Sequence, residues 1–337
     1  MTMADYDSIG VIGGGAWGTA LALSAARAGR RVTLWARDTA LVAELRTRQS
    51  NSAYLPGITF DERLEATTDL AAAAAASALL LVTPAQTTRS LAASLRPHLR
   101  PGTPVVLCAK GIERGTGHLL SEILAEEVPE AQAAVLSGPS FAMDVARGLP
   151  TAVTVAAGDG AVADGLARAL ASASFRPYAS TDLVGVQIGG ALKNVLAIAC
   201  GAVVGRKLGA SAQAALTARG FAELTRLGTA LGARPETLTG LSGLGDLVLT
   251  CSSAQSRNFA FGLKLGEGRS PGDLIASGEK LAEGAHSARI AVELGRRHKV
   301  MLPLCEAVAG VLDGQMTIDE ALTALMSRPL RREASSD

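Results

Sequence analysis

The run Ile9-Gly10-Val11-Ile12-Gly13-Gly14-Gly15-Ala16-Trp17-Gly18-Thr19-Ala20-Leu21-Ala22 decides how this chain is read. Ile9 to Ile12 is short, apolar and β-branched, the pattern of a parallel strand buried on both faces. Thr19 to Gly29 continues as a helix that closes on a glycine. A glycine loop between a strand and a helix is the setting in which G-x-G-x-x-G binds a dinucleotide. Gly13 is expected to make the tight turn, Gly15 to let the backbone approach a pyrophosphate, and Gly18 to let helix and strand pack closely. The helix N-terminus adds free N–H groups and a partial positive charge for the phosphates.

Outward from this loop, strands and helices alternate. Arg31 to Ala36 reads as the second strand, followed by Arg37 and then Asp38. An acidic residue at this position takes the ribose hydroxyls of NAD, whereas an arginine accommodates the 2′-phosphate of NADP. Arg37 coming first favours NADP, alongside NAD. Ala78 to Val82 and Pro104 to Ala109 read as further strands, each ending in a loop. Those loops are Thr83-Pro84-Ala85-Gln86 and Lys110-Gly111-Ile112-Glu113. Ala133 to Leu136 leads into Ser137-Gly138-Pro139-Ser140-Phe141-Ala142, small and hydrogen-bonding. Loops at the carboxyl ends of parallel strands line the ligand crevice, so Lys110 is a candidate substrate group. The alternation predicts an α/β Rossmann-type domain with a largely parallel sheet, over residues 1–183. Beyond residue 183 helical periodicity takes over, which predicts an all-α domain over 184–337.

Bulk properties narrow the class. A chain of 337 residues, 48% hydrophobic, has material for two cores. Its 32 Lys+Arg against 31 Asp+Glu leave no basic excess of the kind a nucleic-acid binder carries. Cys108, Cys200, Cys251 and Cys305 are isolated and match no metal-ligand spacing. They read as reduced thiols of a cytoplasmic protein. No signal peptide is expected, because Met1 to Asp7 is short and polar. The apolar run Ala71 to Val82 is too short for a membrane span. His98, His118, His286 and His298 lie in polar or helical surroundings and read as surface residues.

Gly185 to Val204 reads as a long, nearly all-apolar helix, the pattern of a buried helix, interrupted by Lys193-Asn194. Burial lowers a lysine's pKa toward neutrality, which suits it to general acid–base work. A second cluster runs from Gly240 through Asp246 to Cys251, then Ser252 and Ser253, with Ser256-Arg257-Asn258 in the first turns of the next helix. Ser252 or Ser253 is the expected cap of that helix. Arg257 is suited to bidentate binding of a phosphate or, equally, a carboxylate.

Assembled, these motifs resemble the bacterial NAD(P)-dependent glycerol-3-phosphate dehydrogenase family. The resemblance rests on the glycine loop, Lys110-Gly111-Ile112-Glu113, Ser137 to Ala142, Gly190-Ala191-Leu192-Lys193-Asn194-Val195, Gly245-Asp246-Leu247, Ser256-Arg257-Asn258 and Glu283-Gly284, in order. It implies that Lys193 is the proton acceptor. It implies that Lys110, Gly138, Ser140, Lys193, Asp246, Ser256, Arg257 and Asn258 hold glycerol phosphate. It implies that Ala16, Trp17, Arg37, Lys110, Ala142, Arg257, Leu281 and Glu283 meet the cofactor, with Gly13, Gly15 and Gly18. Phospholipid precursor supply is the role so implied, and a homodimer is compatible with it. The chain departs from the pattern at Ala16, usually serine, and at Thr83-Pro84-Ala85. A two-domain reductase of hydroxy or keto acids is the alternative, with Arg257 on a carboxylate.

Overall fold

Ser8–Ile12 (β1) is an interior strand, third from one edge of an eight-stranded sheet. The computed structural model describes residues 6–59, 64–277 and 283–329. The other strands are Arg31–Trp35 (β2), Leu64–Thr67 (β3), Ala78–Leu81 (β4), Pro104–Leu107 (β5), Gln132–Ser137 (β6), Thr151–Ala157 (β7) and Phe175–Ser180 (β8). Their spatial order is β3-β2-β1-β4-β5-β6-β7-β8. Every pairing is parallel except β6 with β7. The order reverses between β1 and β4, and the carboxyl ends of strands at such a reversal open a ligand crevice. Ile9, Val11 and Ile12 are fully buried, as are Leu79 and Leu80 of β4, so hydrophobic burial holds the glycine loop at the crevice floor.

The helices of this region are Ala16–Arg27 (α1), Thr39–Arg48 (α2), Leu70–Ala74 (α3), Thr88–Leu95 (α4), Leu120–Glu127 (α5), Ala142–Ala146 (α6) and Gly160–Leu170 (α7). Aspartates Asp38, Asp69 and Asp159 cap α2, α3 and α7 by accepting backbone N–H groups. Strand β3 has no strong signature in the sequence: it is a four-residue edge strand with one buried side chain.

Leu183–Gly205 (α8) is the long apolar helix expected from Gly185 onward. It is long and apolar enough to cross a membrane, but 78% of the apolar window is buried inside the protein. It therefore behaves as a core helix, and the apolar run Ala71 to Val82 is instead divided between α3 and β4.

The chain forms two compact units, and a single cut at residue 183 does not separate them. The first unit extends to Lys193 and takes back Gly228–Leu249, and the second comprises Asn194–Leu227 and the chain from Thr250. The cause is close packing of the returning segment on the start of α8. A Cβ on Gly189 would lie 2.6 Å from the Ser242 carbonyl oxygen. The buried Asp182 carboxylate accepts from Gly185 N–H and from Arg234 N–H, both at 2.8 Å. Such non-local contacts leave no periodic trace in the sequence.

The remaining helices are Ala210–Ala230 (α9), Pro235–Thr239 (α10), Asp246–Cys251 (α11), Arg257–Gly266 (α12), Pro271–Ala276 (α13), Glu283–Arg297 (α14), Pro303–Leu312 (α15) and Ile318–Met326 (α16). In the second unit Glu223 of α9 receives the N–H groups of Leu304 and Cys305 and so closes the start of α15. Burial pushes its carboxyl up to about 7.

Asp182→Ala should strand the buried Gly185 N–H, unpair the part-buried Arg234 N–H, and cost about 2 kcal/mol. The measurement is the urea unfolding midpoint, expected to fall while the circular dichroism of the folded state is retained.

Candidate active site

The glycine loop has the geometry its pattern predicts. Gly13 adopts φ +131°, and a Cβ on Gly18 would lie 1.8 Å from the Gly13 carbonyl oxygen, so helix and turn touch through bare backbone. Gly15 is the residue before α1 and offers no side-chain cap. A Cβ there would meet nothing within 4 Å, which leaves open space beside the first N–H groups of α1. Two further polar atoms flank the turn, sealed from solvent and without a hydrogen-bond partner: Trp17 Nε1 and Thr83 Oγ1. Open backbone at a helix N-terminus and orphaned donors beside it fit a dinucleotide. Ala16 is the first residue of α1 and presents its N–H whatever its side chain.

Asn51 was not singled out by any motif. It is fully buried, and its amide nitrogen donates to the Gly14 carbonyl at 2.9 Å and to Thr19 Oγ1 at 2.8 Å. It thus pins the glycine turn from a loop that a motif search passes over. Arg37 is exposed just beyond β2. Asp38 is committed to α2, accepting from Ala40 and Leu41 N–H at 2.8 and 3.3 Å. Ala142 begins α6, half-buried against the core beneath α1. Glu283 begins α14, and Leu281 lies outside the described residues.

The carboxyl ends of β5 and β6 meet α8 and the returning segment at one buried carboxylate. Asp246 has no exposed surface. Its Oδ2 accepts from Lys110 Nζ at 2.7 Å, and its Oδ1 accepts from Lys193 Nζ. Lys110 Nζ also donates to the Gly138 carbonyl at 3.1 Å. Ser140 Oγ donates to that same carbonyl at 3.0 Å. So Lys110, Gly138, Ser140, Lys193 and Asp246, scattered over 137 residues of sequence, form one cluster inside the first unit. Asp246 is delivered by a π-helical turn, Leu241–Gly245, which runs straight into α11.

Two ammonium groups against one carboxylate is one charge too many for a buried site. Lys193 is the deeper of the two, only 6% exposed. Burial, and then the neighbouring Lys110 charge, pull its pKa down to about 7, against the upward pull of Asp246. A lysine so tuned exchanges a proton at ordinary pH.

In the second unit Ser256, rather than Ser252 or Ser253, caps α12, accepting from Phe259 N–H at 3.3 Å. Arg257 follows, exposed at the first position of that helix. Asn258 is buried and largely committed: it donates to Asn194 Oδ1 and accepts from Gly284 N–H, both at 2.9 Å. It ties the start of α14 to α8. Among the described residues no cluster of His, Cys, Asp and Glu forms a metal site.

Comparison with known proteins gives the same family at both ends of the chain. A model described as NAD-dependent glycerol-3-phosphate dehydrogenase N-terminus matches residues 8–163, and its C-terminus counterpart matches residues 182–323. A glycerol-3-phosphate dehydrogenase [NAD(P)+] of Parvibaculum lavamentivorans is 57% identical over 99% of this chain and 100% of its own. One from Azorhizobium caulinodans is 58% identical over 98% of this chain and 100% of its own. A crystal structure of glycerol-3-phosphate dehydrogenase from Coxiella burnetii superposes with a TM-score of 0.90 at 38% identity, covering 96% of this chain and 99% of the other.

Asp246→Asn should leave buried Lys193 and half-buried Lys110 without their anion and lower the unfolding free energy at pH 7 by about 3 kcal/mol. Removing Asp246 removes the pull that raises the Lys193 pKa, so Lys193 gives up its proton at lower pH than in the parent. The deficit should therefore shrink at pH 9, where Lys193 is neutral in both proteins. Urea titrations at the two pH values measure it.

Proposed function

The chain belongs to the NAD-dependent glycerol-3-phosphate dehydrogenase family, and we propose that Lys193 moves the proton in its interconversion of glycerol 3-phosphate and dihydroxyacetone phosphate. The observation that carries this reading is the Lys110–Asp246–Lys193 cluster, in which burial and a neighbouring cation bring one lysine to about pH 7. Bound nicotinamide supplies the hydride chemistry. The residues of this chain supply placement and the proton.

In oxidation, neutral Lys193 takes the proton of the C2 hydroxyl, and its ammonium form then rests on Asp246. In reduction, the ammonium of Lys193 polarises the C2 carbonyl and returns that proton. Asp246 keeps the Lys193 amine aimed through the hydrogen bond to its Oδ1. Lys110, steadied by Asp246 and by the Gly138 carbonyl, presents a fixed positive charge to the substrate oxygens. Ser140 adds a hydroxyl beside it. Ser256 and Arg257 hold the phosphate, where a guanidinium gives a bidentate, charge-assisted grip. Asn258 serves the same group through its remaining N–H.

Gly13, Gly15, Ala16, Trp17 and Gly18 hold the dinucleotide phosphates, with Ala142, Leu281 and Glu283 completing the cofactor contacts. Arg37 is the residue for a 2′-phosphate. Its exposure, and the engagement of Asp38 as a helix cap, support acceptance of NADP as well as NAD. Four buried free cysteines suit a reducing compartment, which supports a cytoplasmic enzyme feeding phospholipid synthesis. A homodimer is part of this proposal, to be read by light scattering.

The direct test is oxidation of NADPH and NADH with dihydroxyacetone phosphate. Lys193→Ala should lower turnover at least about a thousandfold and leave NADPH affinity within twofold. Full activity in that variant removes the assignment. In the parent enzyme kcat/KM for oxidation should rise through about pH 7 as Lys193 loses its proton, and kcat/KM for reduction should fall over the same range. Arg37→Ala should raise KM for NADPH about tenfold and leave KM for NADH unchanged.

A further inference from the structure

Lys110 stands in an irregular stretch beyond β5, and a lysine has a long flexible stem. Its ammonium position is therefore set by where its backbone is mounted. That mounting is built from residues outside the substrate and cofactor sets. Gly111 packs on Ala85 so closely that a Cβ would lie 2.7 Å from the Ala85 Cβ. Gln86, in the turn after β4, grips the next residues through both ends of its amide. Its Nε2 donates to the Ile112 carbonyl at 2.8 Å, and its Oε1 accepts from Arg114 N–H at 3.0 Å. Glu113 is held in bidentate fashion by Arg89 of α4, through Nε and Nη2, both at 2.9 Å. Thr116 Oγ1 donates to the same carboxylate at 2.7 Å. Arg89 is itself anchored to α5 by Glu126 at 2.8 Å and Glu127 at 2.7 Å.

The chemistry of this clamp points to placement. Partly exposed ion pairs add little to stability, and three carboxylates around one guanidinium carry excess negative charge. Bidentate guanidinium–carboxylate pairing, by contrast, fixes direction and distance. The clamp grips Gly111 to Arg114, the residues after Lys110, rather than β5 itself.

We infer that Gln86, Arg89 and Glu113 are positioning residues, which hold Lys110 so that its ammonium stands against the Asp246 carboxylate shared with Lys193. This inference rests on the reading of Lys193 as the proton-transfer group. Gln86 sits in a turn whose strand-end position points to the cofactor, yet its amide is turned to the Lys110 segment. The Lys110 charge is one of the causes that hold Lys193 near pH 7, and Asp246 pulls the other way. If the mounting loosens, that charge recedes and Lys193 keeps its proton to higher pH.

The test compares the full-length enzyme with Gln86→Ala, Glu113→Gln and the double variant. Gln86 is exposed, and Glu113→Gln preserves shape, so both variants retain the fold. The readouts are the pH dependence of kcat/KM for ketone reduction, NADPH affinity and the thermal midpoint. The double variant should lose about tenfold in kcat/KM. Its limb near pH 7 should move up by about half a unit. NADPH affinity should stay within about twofold of the parent. Glu113→Asp, which keeps the charge on Arg89, should recover most of the loss. A lowered thermal midpoint with an unmoved pH limb assigns the clamp to stability and overturns the inference. Unchanged kcat/KM and an unchanged limb overturn it as well. A parent profile with no limb near pH 7 removes the Lys193 reading and this inference together. A parent limb that no variant moves removes this inference alone.

Discussion

Asp246, sealed from water, accepts a hydrogen bond from each of two lysines that reach it from different elements. The rest of the buried cluster depends on that carboxylate. Without it, two ammonium groups in one buried site would repel each other and leave the interior for solvent. With it, the surplus charge is relieved by the deeper lysine, whose proton becomes exchangeable near neutrality. The neighbouring Lys110 charge helps to lower the pKa of Lys193. One acid and two bases thereby take different roles through burial and distance, without any difference in side-chain chemistry between the lysines.

The fold brings these groups together by simple means. Parallel strands deliver Lys110 and Gly138 to the same edge of the sheet, because each follows a carboxyl end. The first half of α8 packs against the returning segment through bare backbone at Gly189. That close approach lets Lys193 and Asp246 meet. The same sheet presents the glycine turn at the point where strand order reverses, held from behind by Asn51. Site and cofactor loop therefore share one rigid support, as sites built on regular elements do.

Much of this was legible in the residues. The strand–loop–helix at Ile9 to Gly29 shows itself because a short β-branched run, a glycine turn and an Ala/Leu-rich helix closed by glycine follow one another, and because glycine alone tolerates the turn. Lys193 shows itself because a charge in an all-apolar helix is costly to bury unless a partner receives it. Other parts left no signal. Asn51 is one polar residue in a polar loop, and its role depends on a hydrogen bond across 37 residues. Strand β3 is too short and too exposed to declare itself. Ser256 instead of Ser252 or Ser253 as the α12 cap is a matter of where the turn preceding the helix closes, which residue type does not decide among neighbouring serines.

The sequence by itself determined that this chain builds a dinucleotide-binding sheet followed by helices, that Lys110 and Lys193 are its candidate chemical groups, and to which family it belongs. These are local facts, written in period, residue type and motif order. Only the tertiary structure decided that one carboxylate serves both lysines, that the first unit reclaims Gly228–Leu249, and that Gln86 and Glu113 hold the loop after Lys110. Those depend on which surfaces meet in space. A hydrogen bond or a desolvated charge is fixed by distance and burial, and neither quantity exists until the chain has folded.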